Sequence, residues 1–143
     1  MYKKVFEYES FDGEQVTDVL YFNLTRTEMI RFMSEYPEGL DNYIAGLNKG
    51  TFDSETFAFF EKVIGRCYGI RSEDGKKFRK SPAILEEFKE SAAYDAFIYY
   101  LITEEGAMDE FMANVFPKLS ESEIATAKAR ALEAEHANPQ VAG

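Results

Sequence analysis

The sequence has almost none of the side chains that bind transition metals or form disulfides. Its 143 residues include a single cysteine, Cys67, a single histidine, His136, and no tryptophan. A zinc site needs about four ligands, mostly cysteine and histidine, at defined spacing, so a standard zinc site is excluded. One cysteine cannot form an internal disulfide, and the cysteine content gives no indication of an oxidising compartment. We therefore predict a protein with no metal and no cofactor.

Long apolar runs and excess positive charge are absent as well. No stretch approaches the roughly 18 apolar residues of a membrane-spanning helix, and the N-terminal segment MYKKVFEYES contains no apolar signal core. Acidic residues outnumber basic ones by 26 to 16, which gives a formal net charge of -10. The missing signal core and membrane span predict a cytoplasmic protein. Because the negative charge repels nucleic acid and anionic lipid, we predict that it binds neither nucleic acid nor membrane. A protein that mimics the charge of DNA stays open as an alternative.

Motifs for catalysis are also missing. Cys67 lies on an apolar helical stripe, which is typical of a small buried side chain and not of a nucleophile. The nucleophile motif Gly-x-Ser-x-Gly does not occur. The segment GIRSEDGKKFRKSP, residues 69–82, resembles a phosphate-binding loop, but five residues instead of four separate Gly69 from Gly75. Lys77 also stands where that loop needs Ser or Thr, so we predict a protein that is not an enzyme.

Residues 2–24 have the composition and alternation of a β-hairpin. KVFEYES alternates aromatic with acidic side chains, and QVTDVLYFNL is rich in β-branched and aromatic residues. Asp12-Gly13 lies between the two runs, and this dipeptide favours a two-residue turn in which both central residues need positive φ. An isolated hairpin is only marginally stable, so we expect this one to pack against helices or to pair with a neighbouring chain.

Apolar residues recur at helical spacing from residue 29 to residue 116. The expected helix starts are a capping box at Thr25 and Glu28, a cap at Asp53 or Ser54, the pair Ser81-Pro82, and Ser91. The expected stops are Pro37, Gly50, Gly69 and Pro117. We predict about six helices and a fold that is mainly α with an N-terminal β-hairpin, or α+β by strict count. Residues 1–117 would form a single domain, and the alanine-rich residues 118–143 a loosely attached helix and a frayed tail.

The segment GIRSEDGKKFRKSP is also basic within an acidic chain. Residues 71–80 carry five basic and two acidic side chains, a net charge of +3, so the rest of the chain carries -13. Asp74-Gly75 predicts a tight turn, with Ile70 and Phe78 folding inward as a small β-like hairpin. Its cations would then point outward near the end of a helix, where the helix dipole favours positive charge. The alternatives are contact with an acidic partner, or self-association of the dipolar chain.

Four aromatic residues lie off the main apolar faces of their predicted helices: Phe32, Phe59, Tyr99 and Tyr100. One interpretation is a second buried face, because the helices of a small domain can pack on two sides. The other is an exposed aromatic surface, which would mark a protein-binding site. The candidate protein-binding residues are therefore these four together with five cations: Arg71, Lys76, Lys77, Arg79 and Lys80.

Four runs of the sequence together resemble a known family. They are FDGEQVTDVLYFNLTRTEM, FFEKVIGRCYG, SEDGKKFRKSP and EEFKESAAYDAFIYYLI. With them, residues 1–117 resemble the tail assembly chaperones of long-tailed, siphovirus-type bacteriophages. The similarity is strongest in the hairpin that enters the first helix, and in Tyr68-Gly69 followed by Asp74-Gly75.

The resemblance implies a small, mostly helical, non-catalytic protein of the host cytoplasm that is absent from the mature virion. Its partners would be the tape measure protein, which it keeps soluble, and the tail tube protein, which it helps to recruit. The acidic composition keeps one alternative open, a DNA mimic or other protein-binding inhibitor acting in the host cytoplasm. Such a mimic needs carboxylates along one face, and the basic residues 71–80 interrupt that face.

Overall fold

The computed structural model describes residues 1–47, 52–126 and 129–130. Its strands are β1 (Tyr2–Glu9), β2 (Gln15–Phe22), β3 (Tyr68–Arg71) and β4 (Phe78–Arg79). Its helices with both ends described are α1 (Arg26–Met33), α2 (Leu40–Gly46), α3 (Ser54–Cys67), α4 (Pro82–Lys89), α5 (Ala92–Thr103) and α6 (Ala107–Val115). Residues 121–126 and 129–130 are also helical. The fold is α+β and mainly α with an N-terminal hairpin, which confirms the predicted fold class.

Two compact units make up the chain, and one of the three positions at which the chain passes between them lies within α3. The first unit comprises residues 1–24 and 57–116, and the second comprises residues 25–56 and the chain from residue 117. The predicted division at residue 117 into one domain and an attached tail stays a prediction. Residues 131–143, which include the whole of the predicted frayed tail ANPQVAG, lie outside the described residues.

The first hairpin pairs β1 with β2 antiparallel along the full length of both strands. The predicted two-residue turn at Asp12-Gly13 is wrong, because within this loop Gly13 alone has positive φ, at 83°. The Gly13 amide donates to the Ser10 carbonyl at 3.0 Å, and the Ser10 amide donates to the Glu14 carbonyl at 2.8 Å. These bonds define a three-residue loop, in which a type I turn is followed by one left-handed residue. Only that one residue needs to be glycine.

A second, shorter hairpin extends the sheet. β3 pairs antiparallel with both β2 and β4, which gives one four-stranded sheet in the order β1-β2-β3-β4. The predicted small hairpin is present, with Ile70 opposite Arg79 and Phe78 opposite Arg71, and Gly75 has a φ of 74° in its turn. The predicted inward position is wrong for Ile70, whose side chain is 49% exposed. β3 reaches here beyond the buried part of the sheet, so the side chain stays in contact with solvent.

Gly69 lies inside β3 and does not end α3 through a left-handed conformation, as the sequence pattern predicted. The described glycines with positive φ are Gly13, Gly39, Gly75 and Gly106. A Cβ atom at position 69 would lie 2.5 Å from Phe78 Cε2 and 2.8 Å from the Arg79 carbonyl oxygen. The close approach of β4 therefore requires glycine here, and the backbone conformation does not.

Aromatic rings on one face of the sheet form the core of the first unit. The alternation of β1 and β2 buries Tyr2, Leu20 and Phe22 and leaves their neighbours along the strands more exposed. Phe22 is fully buried, and its ring centroid lies 4.7 Å from that of Phe97 in α5 and 5.3 Å from that of Phe111 in α6. Rings of this size bury large areas, so this cluster holds the helices against the sheet.

Hydrogen bonds confirm the predicted helix starts. Thr25 and Glu28 form a capping box before α1: the Glu28 amide lies 3.1 Å from Thr25 Oγ1, and the Thr25 amide 3.0 Å from Glu28 Oε1. The Ser81 hydroxyl accepts from the Ile84 amide at 3.1 Å, and Pro82 is the first residue of α4. The caps of α3 and α5 are Asp53 and Ser91. Each of these bonds joins residues close in sequence, so the helix starts could be predicted from the local sequence alone.

The described part of the second unit has aromatic contacts of its own. Phe32 of α1 is fully buried, and its ring centroid lies 5.5 Å from that of Tyr36. The Tyr36 ring in turn lies 4.7 Å from that of Tyr43 in α2. α1 ends before the stop predicted at Pro37, and the stop predicted at Gly50 falls outside the described residues.

Candidate functional site

A groove opens on the helix side of the sheet in the first unit, between α4 and the strands β2 and β3. Its deeper part has a volume of about 320 Å³, and its lining includes Tyr8, Asp18, Leu20, Tyr68, Ile70, Ile84, Glu87 and Phe88. A shallower part continues along the second hairpin and is lined by Ile70, Arg71, Ser72, Glu73, Asp74, Lys77, Arg79 and Ile84. Ile70 and Ile84 line both parts, so the two form one continuous surface, which we call the groove.

Strand and helix periodicity together produce the apolar floor of the groove. Leu20 of β2 lies on the same face of the sheet as Tyr68 and Ile70 of β3. α4 presents Ile84 and Phe88, which lie on one side of the helix because they are four residues apart. The Phe88 ring stacks on the Tyr68 ring, with centroids 3.8 Å apart and an interplanar angle of 4°. This stack fixes α4 against the sheet and so sets the width of the groove.

Two carboxylates, Asp18 and Glu87, lie at one end of the groove. The Tyr8 hydroxyl donates a hydrogen bond to Asp18 Oδ2. This bond, with smaller contributions from burial and from the Asp18 charge, raises the pKa of Tyr8 from 10.0 to about 12. Burial, followed by the charges of Glu87 and Asp18, raises the pKa of Tyr68. This end of the groove therefore has a negative potential and suits a cationic side chain.

Three cations line the shallower part of the groove, Arg71, Lys77 and Arg79, together with the carboxylates of Glu73 and Asp74. The Arg71 guanidinium is held by its own turn, because Nη1 donates to the Ser72 and Glu73 carbonyl oxygens at 3.2 Å and 3.4 Å. The Asp74 carboxylate accepts from the Lys76 amide at 2.9 Å and from the Ser72 hydroxyl at 2.7 Å, and these bonds lower the pKa of Asp74. The turn is thus ordered by its own side chains, and with three cations against two carboxylates the shallower part of the groove has a net positive charge.

The five predicted cations differ in what they contact. Lys80 is half-buried, and its ammonium donates to the Arg66 carbonyl in the last turn of α3 at 2.7 Å. This contact stabilises the C-terminus of that helix, as expected from the helix dipole. Lys76, Lys77 and Arg79 are exposed, so a partner can reach them. Contact between these three and an acidic partner stays a prediction.

None of the four predicted aromatic residues lines the groove. Phe32 is fully buried and Phe59 is 3% exposed, so these two rings belong to buried faces and present no surface to a partner. Tyr100 is half-buried, and its hydroxyl accepts from the Lys4 ammonium at 3.2 Å. Tyr99 is 69% exposed and is the one of the four whose ring is open to contact.

The groove contains residues that the sequence pattern did not single out. Asp18 is the clearest case, since alternation in β2 places it on the same face as Leu20 and Phe22. A carboxylate on an otherwise apolar strand face can be recognised in the sequence, and it would have indicated a candidate site residue. Glu87 carries no such signal, because acidic residues are common on the exposed faces of helices.

We expect Tyr8 to ionise later than an ordinary tyrosine. Its pKa is raised in the folded protein, so the stability that this provides is complete below pH 10.0 and is lost as the pH rises toward about 12. In an alkaline titration followed by tyrosinate absorbance, Tyr8→Phe should have one late-titrating group fewer than the wild type. Asp18→Asn should return the Tyr8 pKa toward 10.0. The bond between Tyr8 and Asp18 is contradicted if Tyr8→Phe removes a group that titrates near 10.0.

Other kinds of site are not found in the part of the chain that the structure describes. Within residues 1–47, 52–126 and 129–130, no cluster of three or more His, Cys, Asp or Glu side chains could hold a metal ion. In the same ranges, no helix has the length and apolar character needed to cross a membrane. The Cys67 side chain is fully buried at the end of α3, as its place on the apolar stripe predicts.

Comparison with known proteins assigns the chain to a family. The sequence matches a family described as phage tail assembly chaperone over residues 1–142. No curated protein and no solved structure matches the chain. The family match includes the alanine-rich segment beyond residue 117, which the resemblance noted above did not cover. Because the match spans nearly the whole sequence, the chain belongs to the phage tail assembly chaperone family.

Proposed function

We propose that the protein binds the tape measure protein during tail assembly, keeps it soluble, and helps to recruit tail tube subunits around it. Membership of the family supports a role in tail assembly and supports protein partners in that process. The bound element would be an amphipathic helix of the tape measure protein, and the groove would be its binding site. On this proposal the chaperone acts in the host cytoplasm and is absent from the finished virion.

The distribution of charge along the groove is the observation that carries the proposal. Ile70 and Ile84 line both parts of the groove. The carboxylates Asp18 and Glu87 line only the deeper part, and the cations of the second hairpin, which outnumber the carboxylates beside them by three to two, line only the shallower part. An amphipathic helix can bury its apolar stripe on the two isoleucines. Basic residues at one end of that helix and acidic residues at the other would then match the groove and fix the direction of binding.

The net charge of the chain suits the same role. A protein that holds an aggregation-prone helical partner in solution has to keep the complex soluble. The formal net charge of -10 makes complexes repel one another and so favours solubility. A chaperone of this kind needs no catalytic group, because binding alone prevents aggregation of the partner.

Co-expression with the tape measure protein of the same phage tests the proposal. The wild type should co-purify with that protein and raise its soluble yield, and added tail tube protein should join the complex. Ile70→Glu should weaken binding roughly tenfold or more, because a charge replaces an apolar side chain that the partner would bury. Folding should be unaffected, since Ile70 is 49% exposed before binding.

Ile102→Glu is the matched control for this experiment. Ile102 lies in α5, is 40% exposed and does not line the groove, so this variant should bind like the wild type. If the wild type neither co-purifies with the tape measure protein nor solubilises it, the proposed function is wrong. If the wild type binds and the two variants bind equally well, the groove is not the binding site.

A further inference from the structure

β1 has a long outer edge to which no described strand is paired. The order β1-β2-β3-β4 leaves β1 and β4 at the two edges of the sheet, with eight and two residues respectively. Natural edge strands are usually short, or interrupted by proline or a bulge, because a long regular edge is a template for another strand. β1 contains no proline, and its pairing with β2 runs without interruption from Tyr2 to Glu9. This edge is therefore suited to accept a further strand.

The hairpin loop shows which residues direct their backbone groups to that edge. The Ser10 amide donates to the Glu14 carbonyl, so Ser10 belongs to the hydrogen-bonded pairs of the ladder. Hydrogen-bonded and non-hydrogen-bonded pairs alternate in an antiparallel ladder, so the even-numbered residues of β1 bond to β2. The N–H and C=O groups of Lys3, Val5 and Glu7 consequently point away from β2. The side chains of these three residues are exposed on the face opposite the helices.

We propose that β1 pairs antiparallel with β1 of a second copy of this chain, with the two-fold axis at Val5. In this register Val5 lies opposite Val5 of the other copy. On each side of the axis, Lys3 of one copy lies opposite Glu7 of the other. Two Lys–Glu pairs therefore flank an apolar pair, and the backbone groups of all three residues are satisfied across the new interface. The pairing joins two four-stranded sheets into one sheet of eight strands.

The charge pattern of β1 selects this register among the alternatives. A shift of two residues in either direction places Val5 opposite Lys3 or opposite Glu7 of the other copy, so a charge faces an apolar side chain. A parallel pairing in register places each charge opposite its own kind, which is destabilising. Val5 is 59% exposed in the single chain, so pairing also removes apolar surface from water.

The two-fold axis has a geometric consequence for the assembled pair. An axis perpendicular to the sheet keeps both helical layers on the same side, so the two grooves open to the same side. The pairing depends only on β1 and is independent of what the groove binds.

Sedimentation equilibrium of the full chain tests the pairing. The wild type should sediment with the mass of two chains at high concentration. Lys3→Glu and Glu7→Lys should each weaken dimerisation roughly tenfold, because each turns two attractive pairs into repulsive ones. The double variant Lys3→Glu/Glu7→Lys restores opposite charges in the same register, so it should dimerise like the wild type. Recovery in the double variant identifies contact between these two positions.

Two further variants keep the test decisive. Glu9→Lys changes an exposed charge of β1 outside the three central pairs, so it should leave dimerisation unchanged. Val5→Pro removes an outward N–H that makes no bond to β2, so it should abolish dimerisation and preserve the monomer fold as measured by circular dichroism. A wild type that is monomeric across the accessible concentration range overturns the proposal. Dimers that are indifferent to the single charge reversals and to Val5→Pro also overturn it.

Discussion

Phe22→Ala should lower the free energy of unfolding by about 3–5 kcal/mol, which is the usual cost of removing a fully buried phenylalanine. Phe22 is 0% exposed, and its ring contacts those of five neighbours: Tyr2, Tyr68, Phe88, Phe97 and Phe111. The variant loses the transfer free energy of the ring and leaves a cavity. Rings on both the sheet and the helices would have to move to fill that cavity. Because domains are stable by only about 5–15 kcal/mol, a large part of the total stability would be lost. Urea unfolding followed by circular dichroism measures the change.

Phe11→Ala is the matched control, since it is the same substitution in the same hairpin. Phe11 lies in the loop between β1 and β2 and is 80% exposed. Its replacement should change the free energy of unfolding by no more than about 0.5 kcal/mol. Equal effects of the two substitutions would show that the aromatic cluster around Phe22 does not determine stability.

The second large effect is expected at Gly69, where Gly69→Ala should destabilise the protein by about 1–3 kcal/mol or more. The added Cβ would lie 2.5 Å from Phe78 Cε2 and 2.8 Å from the Arg79 carbonyl oxygen. The ring can move, but the carbonyl belongs to the backbone of β4, so the second hairpin itself would have to shift. Gly69→Ala/Phe78→Ala should therefore recover only part of the loss in urea unfolding.

Two comparisons separate close approach from backbone conformation as the reason for Gly69. If a left-handed conformation were required, Gly69→Asn would be tolerated better than Gly69→Ala, because asparagine adopts that conformation more readily. Close approach predicts the reverse, since the larger side chain collides at least as severely. Gly65→Ala is the control within α3, where the new Cβ would meet Leu85 Cδ2 at an ordinary 3.4 Å. This variant should be as stable as the wild type, or more stable by up to about 1 kcal/mol.

The two hairpins and the helix starts show which parts of the fold can be predicted from the sequence. The strands of the first hairpin follow from alternation, and the turn at Gly75 follows from the Asp-Gly dipeptide. The capping box of Thr25 and Glu28 and the Ser81-Pro82 start follow from side chains that bond within three residues of themselves. In each case the residues involved lie in the same short segment, so the feature can be predicted without knowing the rest of the fold.

The pairing of Tyr21 with Gly69, by contrast, could not be predicted from a short segment of the sequence. It joins residues far apart in sequence, and no local preference indicates that a connector between helices becomes the third strand of the first hairpin's sheet. That pairing carries β3 beyond the buried part of the sheet, so Ile70 stays exposed. It also brings Asp18, Glu87 and the cations of the second hairpin to one groove. The reason for glycine at position 69 is the close approach of β4 to β3.

The fold class, the helix starts, the basic turn and the resemblance to the family could all be predicted from the sequence, because each depends on residues that are neighbours in the chain. The burial of Phe32 and Phe59 and the bond from Lys80 to the end of α3 could not, because they depend on how separate segments pack. The groove and the open edge of β1 likewise exist only once the sheet is assembled. Burial and surface shape depend on which distant segments come into contact. An amphipathic pattern predicts that one face of an element is buried, but it does not predict which other element packs against that face.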